Sequence, residues 1–156
     1  MATKPIPDGY HTATPYLIVK GGADAIEFYR NAFGAEEVMR MNGPGGAVMH
    51  AEIKIGDSPI MLADEMPDCD WKGPQSLGGT PVSLMLYVED VDARYKKAIQ
   101  AGAKELRPVK DQFYGDRAGT LADPFGHVWT IATHKEDVPG EEINRRFEEM
   151  MKQQGS

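Results

Sequence analysis

His50 and Glu52 stand two residues apart in the stretch from Ala47 to Asp64, and this pair is where the sequence first points to chemistry. On a β-strand such a spacing puts an imidazole and a carboxylate on one face, roughly 7 Å apart, which suits sharing a ligand better than touching. The pair can act as a general base with its orienting partner, or as two ligands of a metal displaced from its usual place. It can equally be a polar pair on a solvated sheet face. Arg117 is the third group of interest. Its guanidinium can clamp a carboxylate or phosphonate through two parallel N–H bonds, or form an ion pair with Glu52. Cys69 is the only cysteine and sits between Asp68 and Asp70, an acidic setting unsuited to a nucleophilic thiol.

The elements that must position these groups follow from punctuation and periodicity. Gly56-Asp57 supplies the backbone that a two-residue hairpin loop needs, flanked on both sides by strand-forming residues. Pairing outward from that loop sets Ile55 against Ser58, Glu52 against Met61 and His50 against Ala63. His50, Glu52, Lys54, Pro59, Met61 and Ala63 then share a mixed face that Val48 continues, while Met49, Ala51, Ile53, Ile55, Ile60 and Leu62 make the other face apolar. Before the hairpin come an arm (residues 1–13), a strand (14–20), a helix opening near Asp24 and stopped by Gly34, and a strand from Glu36 to Met41. A Pro- and Gly-rich linker spans residues 65–81.

The pattern then repeats. Val82 to Val88 reads as a strand, Asp90 to Ala101 as a helix stopped by Gly102, and three further strands cover Lys104–Val109, Arg117–Ala122 and His127–Thr133. Asp24-Ala25 aligns with Asp92-Ala93 and Gly34-Ala35 with Gly102-Ala103, so the chain reads as a duplicated βαβββ unit of α+β class. The expected organisation is one domain over residues 14–137, built from units 14–64 and 82–134. An amphipathic helical tail follows over 138–156, with Ile143, Phe147, Met150 and Met151 on one stripe.

Bulk properties narrow the functions. A length of 156 residues suits one core, and a formal charge of −7 without a Lys/Arg run argues against nucleic acid and acidic lipid as partners. One cysteine excludes an intrachain disulfide and a multi-thiolate zinc site within the chain. No apolar run approaches the roughly 20 residues of a membrane span, and the first residues lack a signal-peptide core, so a cytoplasmic location is expected.

Three passages carry a family resemblance: Ala25-Ile26-Glu27-Phe28-Tyr29-Arg30-Asn31-Ala32-Phe33-Gly34-Ala35, Gly115-Asp116-Arg117, and Asp123-Pro124-Phe125-Gly126-His127-Val128-Trp129. With the repeat, they resemble the vicinal oxygen chelate superfamily of glyoxalases, bleomycin-resistance proteins and extradiol dioxygenases, and within it the PhnB-like group. The resemblance implies two βαβββ units forming a cupped mixed sheet. Metal enzymes of this superfamily place one His or Glu on the first and last strand of each unit. Here those positions fall on Thr14, Met61, Ser83 and Thr130, none a His or carboxylate, so neither the usual metal nor another cofactor is expected.

Alternation places Thr14, Tyr16 and Ile18, then Ser83, Met85 and Tyr87, and Val128, Thr130 and Ala132 on the concave side. Counting across Asp123-Pro124-Phe125-Gly126 sets Gly119 against Thr130 and Arg117 against Ala132, which puts Arg117 in the cup. The expected ligand site is His50, Glu52, Arg117, Tyr16, Met61, Ser83, Tyr87 and Thr130, with Trp71 and Tyr114 as loop aromatics able to cover it or, equally, to fill a dimer interface. Trp129 falls on the opposite face, as core. The expected function is metal-independent binding of a compact, partly aromatic or anionic small molecule, as a homodimer. The alternative is a lyase, isomerase or dioxygenase with a relocated metal on His50, Glu52 and a third group.

Overall fold

A computed structural model describes residues 2–155; Met1 and Ser156, the ends of the expected arm and tail, lie outside them. The first unit comprises β1 (Tyr16–Val19), α1 (Gly22–Phe33), β2 (Glu36–Asn42), β3 (Val48–Ile55) and β4 (Ser58–Asp64). A short helix α2 (Pro74–Leu77) lies in the linker. The second unit comprises β5 (Ser83–Tyr87), α3 (Val91–Ala101), β6 (Lys104–Asp111), β7 (Asp116–Ala122) and β8 (Val128–His134), followed by α4 (Gly140–Gln154). The sheets have the same order, β1-β4-β3-β2 and β5-β8-β7-β6. In each, the first strand runs parallel to the last strand of its unit. The fold is the expected α+β duplication. Among the described residues no helix is long and apolar enough to cross a membrane.

The helices stop where glycine can turn left. Gly34 takes φ 69° and its N–H reaches the Arg30 carbonyl. Gly102 and Ala103 return N–H groups to Ile99 and Ala98, the paired closure of a Schellman stop. Apolar stripes of α1 and α3 meet the inner sheet faces in one core that crosses both repeats. Trp129 is fully buried, its ring 4.8 Å from that of Phe33 and 5.5 Å from that of Tyr29, both on α1.

The β3–β4 hairpin has the expected register from Ile55 against Ser58 to Glu52 against Met61. The start of β3 does not keep the expected faces: a bulge leaves Met49 unpaired opposite Met41 and Asn42, and Val48 is buried while Met49 is exposed. The β7–β8 hairpin lacks the expected register. Thr120 pairs with Thr130 and Ala118 with Ala132, one residue away from the expected pairing, while Gly119 pairs with Ile131 and Arg117 with Thr133. The cause is Asp123. One oxygen of its buried carboxylate accepts the N–H groups of Phe125 and His127, each at 2.9 Å, and its backbone N–H reaches the His127 carbonyl. His127 is thereby drawn into the loop. A one-residue slip exchanges the two faces of a strand, so Arg117 and Gly119 turn toward α3. Gly119 has a further reason to be there: a Cβ would come within 2.8 Å of the Tyr95 ring and of Val109.

Candidate functional site

Each unit presents one mixed face away from the core, and both faces are open. On the first, β1, β3 and β4 bring together Tyr16, His50, Glu52 and Met61. The Tyr16 hydroxyl lies 2.8 Å from His50 Nδ1, and His50 Nε2 lies 3.2 Å from Glu52 Oε1. His50 and Glu52 therefore touch, contrary to the spacing argument: side chains can lean along the strand and close the gap. Tyr10, from the arm, donates its hydroxyl to the other Glu52 oxygen. An ionised carboxylate only accepts, so His50 Nε2 carries a hydrogen toward Glu52. In a neutral imidazole Nδ1 then accepts from Tyr16. The chain of bonds thus converges from both ends on Glu52.

Electrostatics agree with that direction. The hydrogen bond from Tyr10, with further help from His50, holds the Glu52 carboxyl below the usual carboxylate range. The same bond, with burial, pushes the Tyr10 phenol up to about 12. Trp71 extends the aromatic wall, its ring edge-on to Tyr16 at 5.6 Å.

The second face is built from β5 to β8. Thr120 and Thr130 share a 2.9 Å hydroxyl contact at its centre. A concavity of about 460 Å³ opens above them, lined by Met85, Arg107, Lys110 and Tyr114 among others. Arg107 pairs with Thr120 and Lys110 with Ala118 across β6–β7, which puts both cations on this face. No carboxylate partner holds either one among the described residues. Tyr87, also on this face, donates to Asp116 Oδ2 at 2.9 Å, and Asp116 Oδ1 lies 2.7 Å from His134 Nδ1. Ser83 opens β5 beside Val128.

Arg117 is the correction. Its Nε and Nη2 grip the two oxygens of Asp92 on α3, at 2.8 and 2.9 Å, and Nη1 reaches Asp111 at 3.2 Å. It is in neither the cup nor an ion pair with Glu52. The cation that sequence reasoning sought in Arg117 is instead supplied by Arg107. The β6 strand carries irregular pairing on both sides of Arg107, and such bulges erase the alternation that would have revealed its face. Tyr10 was likewise missed, since an irregular arm gives no periodic signal. A lone aromatic in a Pro/Gly-rich arm is the one hint it offers.

The donor set for the superfamily's metal does not fit. Across β1–β4, Met61 faces Tyr16, and across β5–β8, Thr130 faces Met85. Thr14 precedes β1. Among the described residues no three His, Cys, Asp or Glu side chains form a group able to hold a metal ion.

Two βαβββ units of identical strand order, each with an outward mixed face, define the paired-module class to which the sequence motifs pointed. The chain belongs to the Glyoxalase/Bleomycin resistance protein/Dioxygenase superfamily, whose family model matches residues 10–131. It is 44% identical over 133 residues to the uncharacterized protein Mb0911c of Mycobacterium bovis, covering 83% of this chain and 88% of that one. The solved structure of the At5g48480 gene product of Arabidopsis thaliana matches with a TM-score of 0.63 at 26% identity, over 79% of this chain and 98% of the other. A PhnB protein from Bacillus cereus has the same fold, with a TM-score of 0.64 at 20% identity over 79% and 99% of the two chains.

Proposed function

We propose that this protein binds a small molecule against its mixed sheet faces without the superfamily's usual metal. One observation carries the reading. The level where metal ligands would stand is occupied by Met61 and Thr130, while ionisable groups able to grip an organic ligand flank it. Glu52 adjoins Met61 on one face, and Arg107 adjoins the Thr120–Thr130 pair on the other. Methionine, tyrosine and threonine around a few fixed polar groups suit apolar burial with oriented hydrogen bonds. The ligand class is compact and partly aromatic, with hydrogen-bond donors directed to Glu52 and any anionic group to Arg107 and Lys110.

A homodimer completes the proposal. Met41, Met85 and Tyr87 are 55%, 47% and 63% exposed on the two faces, more apolar surface than single scattered side chains require. A second copy covering these faces would exclude water from the ligand. Light scattering at micromolar concentration is expected to give twice the chain mass.

The functional test is calorimetric titration of a panel of small aromatic alcohols, amines and carboxylates against the native protein, Glu52→Gln and Arg107→Ala. Each variant should weaken a different part of the panel by about tenfold, the effect expected for losing a charge-assisted hydrogen bond. Unchanged affinity for every binder in both variants removes this site. Stoichiometric divalent metal in untagged protein, or binding that appears only with an added ion, would favour the metal-dependent lyase, isomerase or dioxygenase instead.

A further inference from the structure

Residues 2–13 form no helix or strand, and nearly all of them are exposed. Within the arm, Tyr10 N–H bonds to the Pro7 carbonyl and Lys4 pairs with Asp8. Among the described residues, the single hydrogen bond that ties this arm to the rest of the protein runs from the Tyr10 hydroxyl to Glu52. The half-buried arm residue is thus seated on the carboxylate that anchors the first face. Around Glu52 the strand partners are Met39 and Met61, with Tyr16 beyond Met61. That neighbourhood suits an aromatic ring, and its acceptor suits a hydroxyl. Tyr10 supplies both.

We propose that Tyr10 is a built-in competitor for the ligand at Glu52, and that the ligand class this face selects is an uncharged aryl hydroxyl of the phenol type. This rests on the binding role proposed above and names its chemistry. A free phenol donates one hydrogen bond to Glu52 and lays its ring among Met39, Met61 and Tyr16; the arm, deprived of its one tie, leaves. Carboxylates and other anions are disfavoured here by the ionised Glu52. Occupancy by Tyr10 lowers apparent ligand affinity by the fraction of molecules whose site is covered. Arm release and ligand binding are then one equilibrium.

The test uses p-cresol, the tyrosine side chain as a free molecule, titrated against full-length native protein, Tyr10→Phe and Glu52→Gln. Tyr10→Phe keeps the ring but removes the donor, and should bind p-cresol about tenfold more tightly than the native protein, the equivalent of one hydrogen bond to a charged group. Glu52→Gln should bind it more weakly than Tyr10→Phe. In the native protein, backbone amides of residues 8–12 should become mobile by ¹⁵N relaxation as p-cresol saturates. Equal affinity in the native and Tyr10→Phe proteins overturns the competition, as does saturation with the arm still ordered. No p-cresol binding to either protein overturns the phenol class. The ligand panel above decides the broader binding reading separately.

Discussion

Asp64 and Thr133 stand at the same point of the two repeats, and each holds the start of its unit's helix from the strand that ends the unit. Asp64 Oδ1 accepts the N–H groups of Gly21 and Gly22 at 2.8 and 2.7 Å, and Oδ2 accepts that of Val48 at 2.7 Å. Thr133 Oγ1 accepts the N–H of Val91 at 2.9 Å and donates to the Val88 carbonyl at 2.8 Å. The first anchor is ionic and triple, the second neutral and single on the accepting side. Gly22 packs so closely that a Cβ would lie 2.8 Å from Val48 Cβ, so the carboxylate reaches both segments at once. Asp64→Ala should therefore destabilise the fold by about 2–4 kcal/mol and Thr133→Val by about 1 kcal/mol. Urea denaturation of both variants measures the difference, and equal costs would show that the triple anchor is not stronger.

Asp123 serves four donors while only 5% exposed. Beside the two backbone N–H groups of its loop, it accepts the Tyr29 hydroxyl at 2.6 Å and the Trp129 indole N–H at 2.9 Å. Asp123→Ala strands all four donors in the core. The expected cost is about 3–5 kcal/mol, since a buried donor left unpaired costs about 1–3 kcal/mol and part of the set can relax. Guanidinium denaturation followed by Trp129 fluorescence checks it, and a cost under about 1 kcal/mol would mean water replaces the carboxylate.

Arg117 is held by two carboxylates, Asp92 and Asp111, whereas Arg107, the arginine proposed to meet ligand, has no carboxylate partner among the described residues. The Asp92 and Asp111 carboxylates that hold the Arg117 guanidinium also push its proton affinity up. Arg117→Ala should leave affinity for every cup ligand unchanged and lower the thermal midpoint slightly, as exposed ion pairs contribute little. Arg107→Ala should do the reverse with carboxylate-bearing ligands. Calorimetry paired with thermal melts reads both, and a loss of binding in Arg117→Ala would return that residue to the site.

His134 gives a pH signature. Its hydrogen bonds to Asp137 and Asp116 raise its proton affinity above the ordinary value of 6.5. A raised folded-state value means that the protonated contacts stabilise the fold fully below pH 6.5 and fade as pH rises through the shifted midpoint. An NMR titration of the His134 ring should give a midpoint above 6.5, and both Asp137→Asn and Asp116→Asn should lower it. A midpoint at or below 6.5 would remove the effect.

The duplicated architecture was legible because its signals are local: glycine stops, a two-residue hairpin loop and alternating strands. The first-face pair was legible for the same reason, since Gly56-Asp57 fixes the register of His50 and Glu52 by counting outward. On the second face β5 and β8 were legible in the same way, with Met85, Tyr87 and Thr130 where alternation puts them, but β7 was not. Its register depends on Asp123 capturing the His127 N–H, a side-chain interaction that lengthens the loop by one residue and leaves the hydrophobic pattern ambiguous. Arg107 was hidden by irregular pairing along β6. Tyr10 was hidden because long-range contacts of an unpatterned segment, forty-two positions from its partner, leave no trace in spacing.

The bond from Tyr29 to Asp123 joins α1 of the first repeat to the loop before β8 of the second, across a chain whose linker is exposed at Gly78 and Gly79. Neither half can satisfy its own interior: the first lacks an acceptor for a buried phenol, and the second lacks the rings that cover its tryptophan. A protease nick between those glycines should therefore leave two fragments that migrate as one particle and part only under denaturant. Although the sequence looks like one module copied twice, the copies have become halves of a single object.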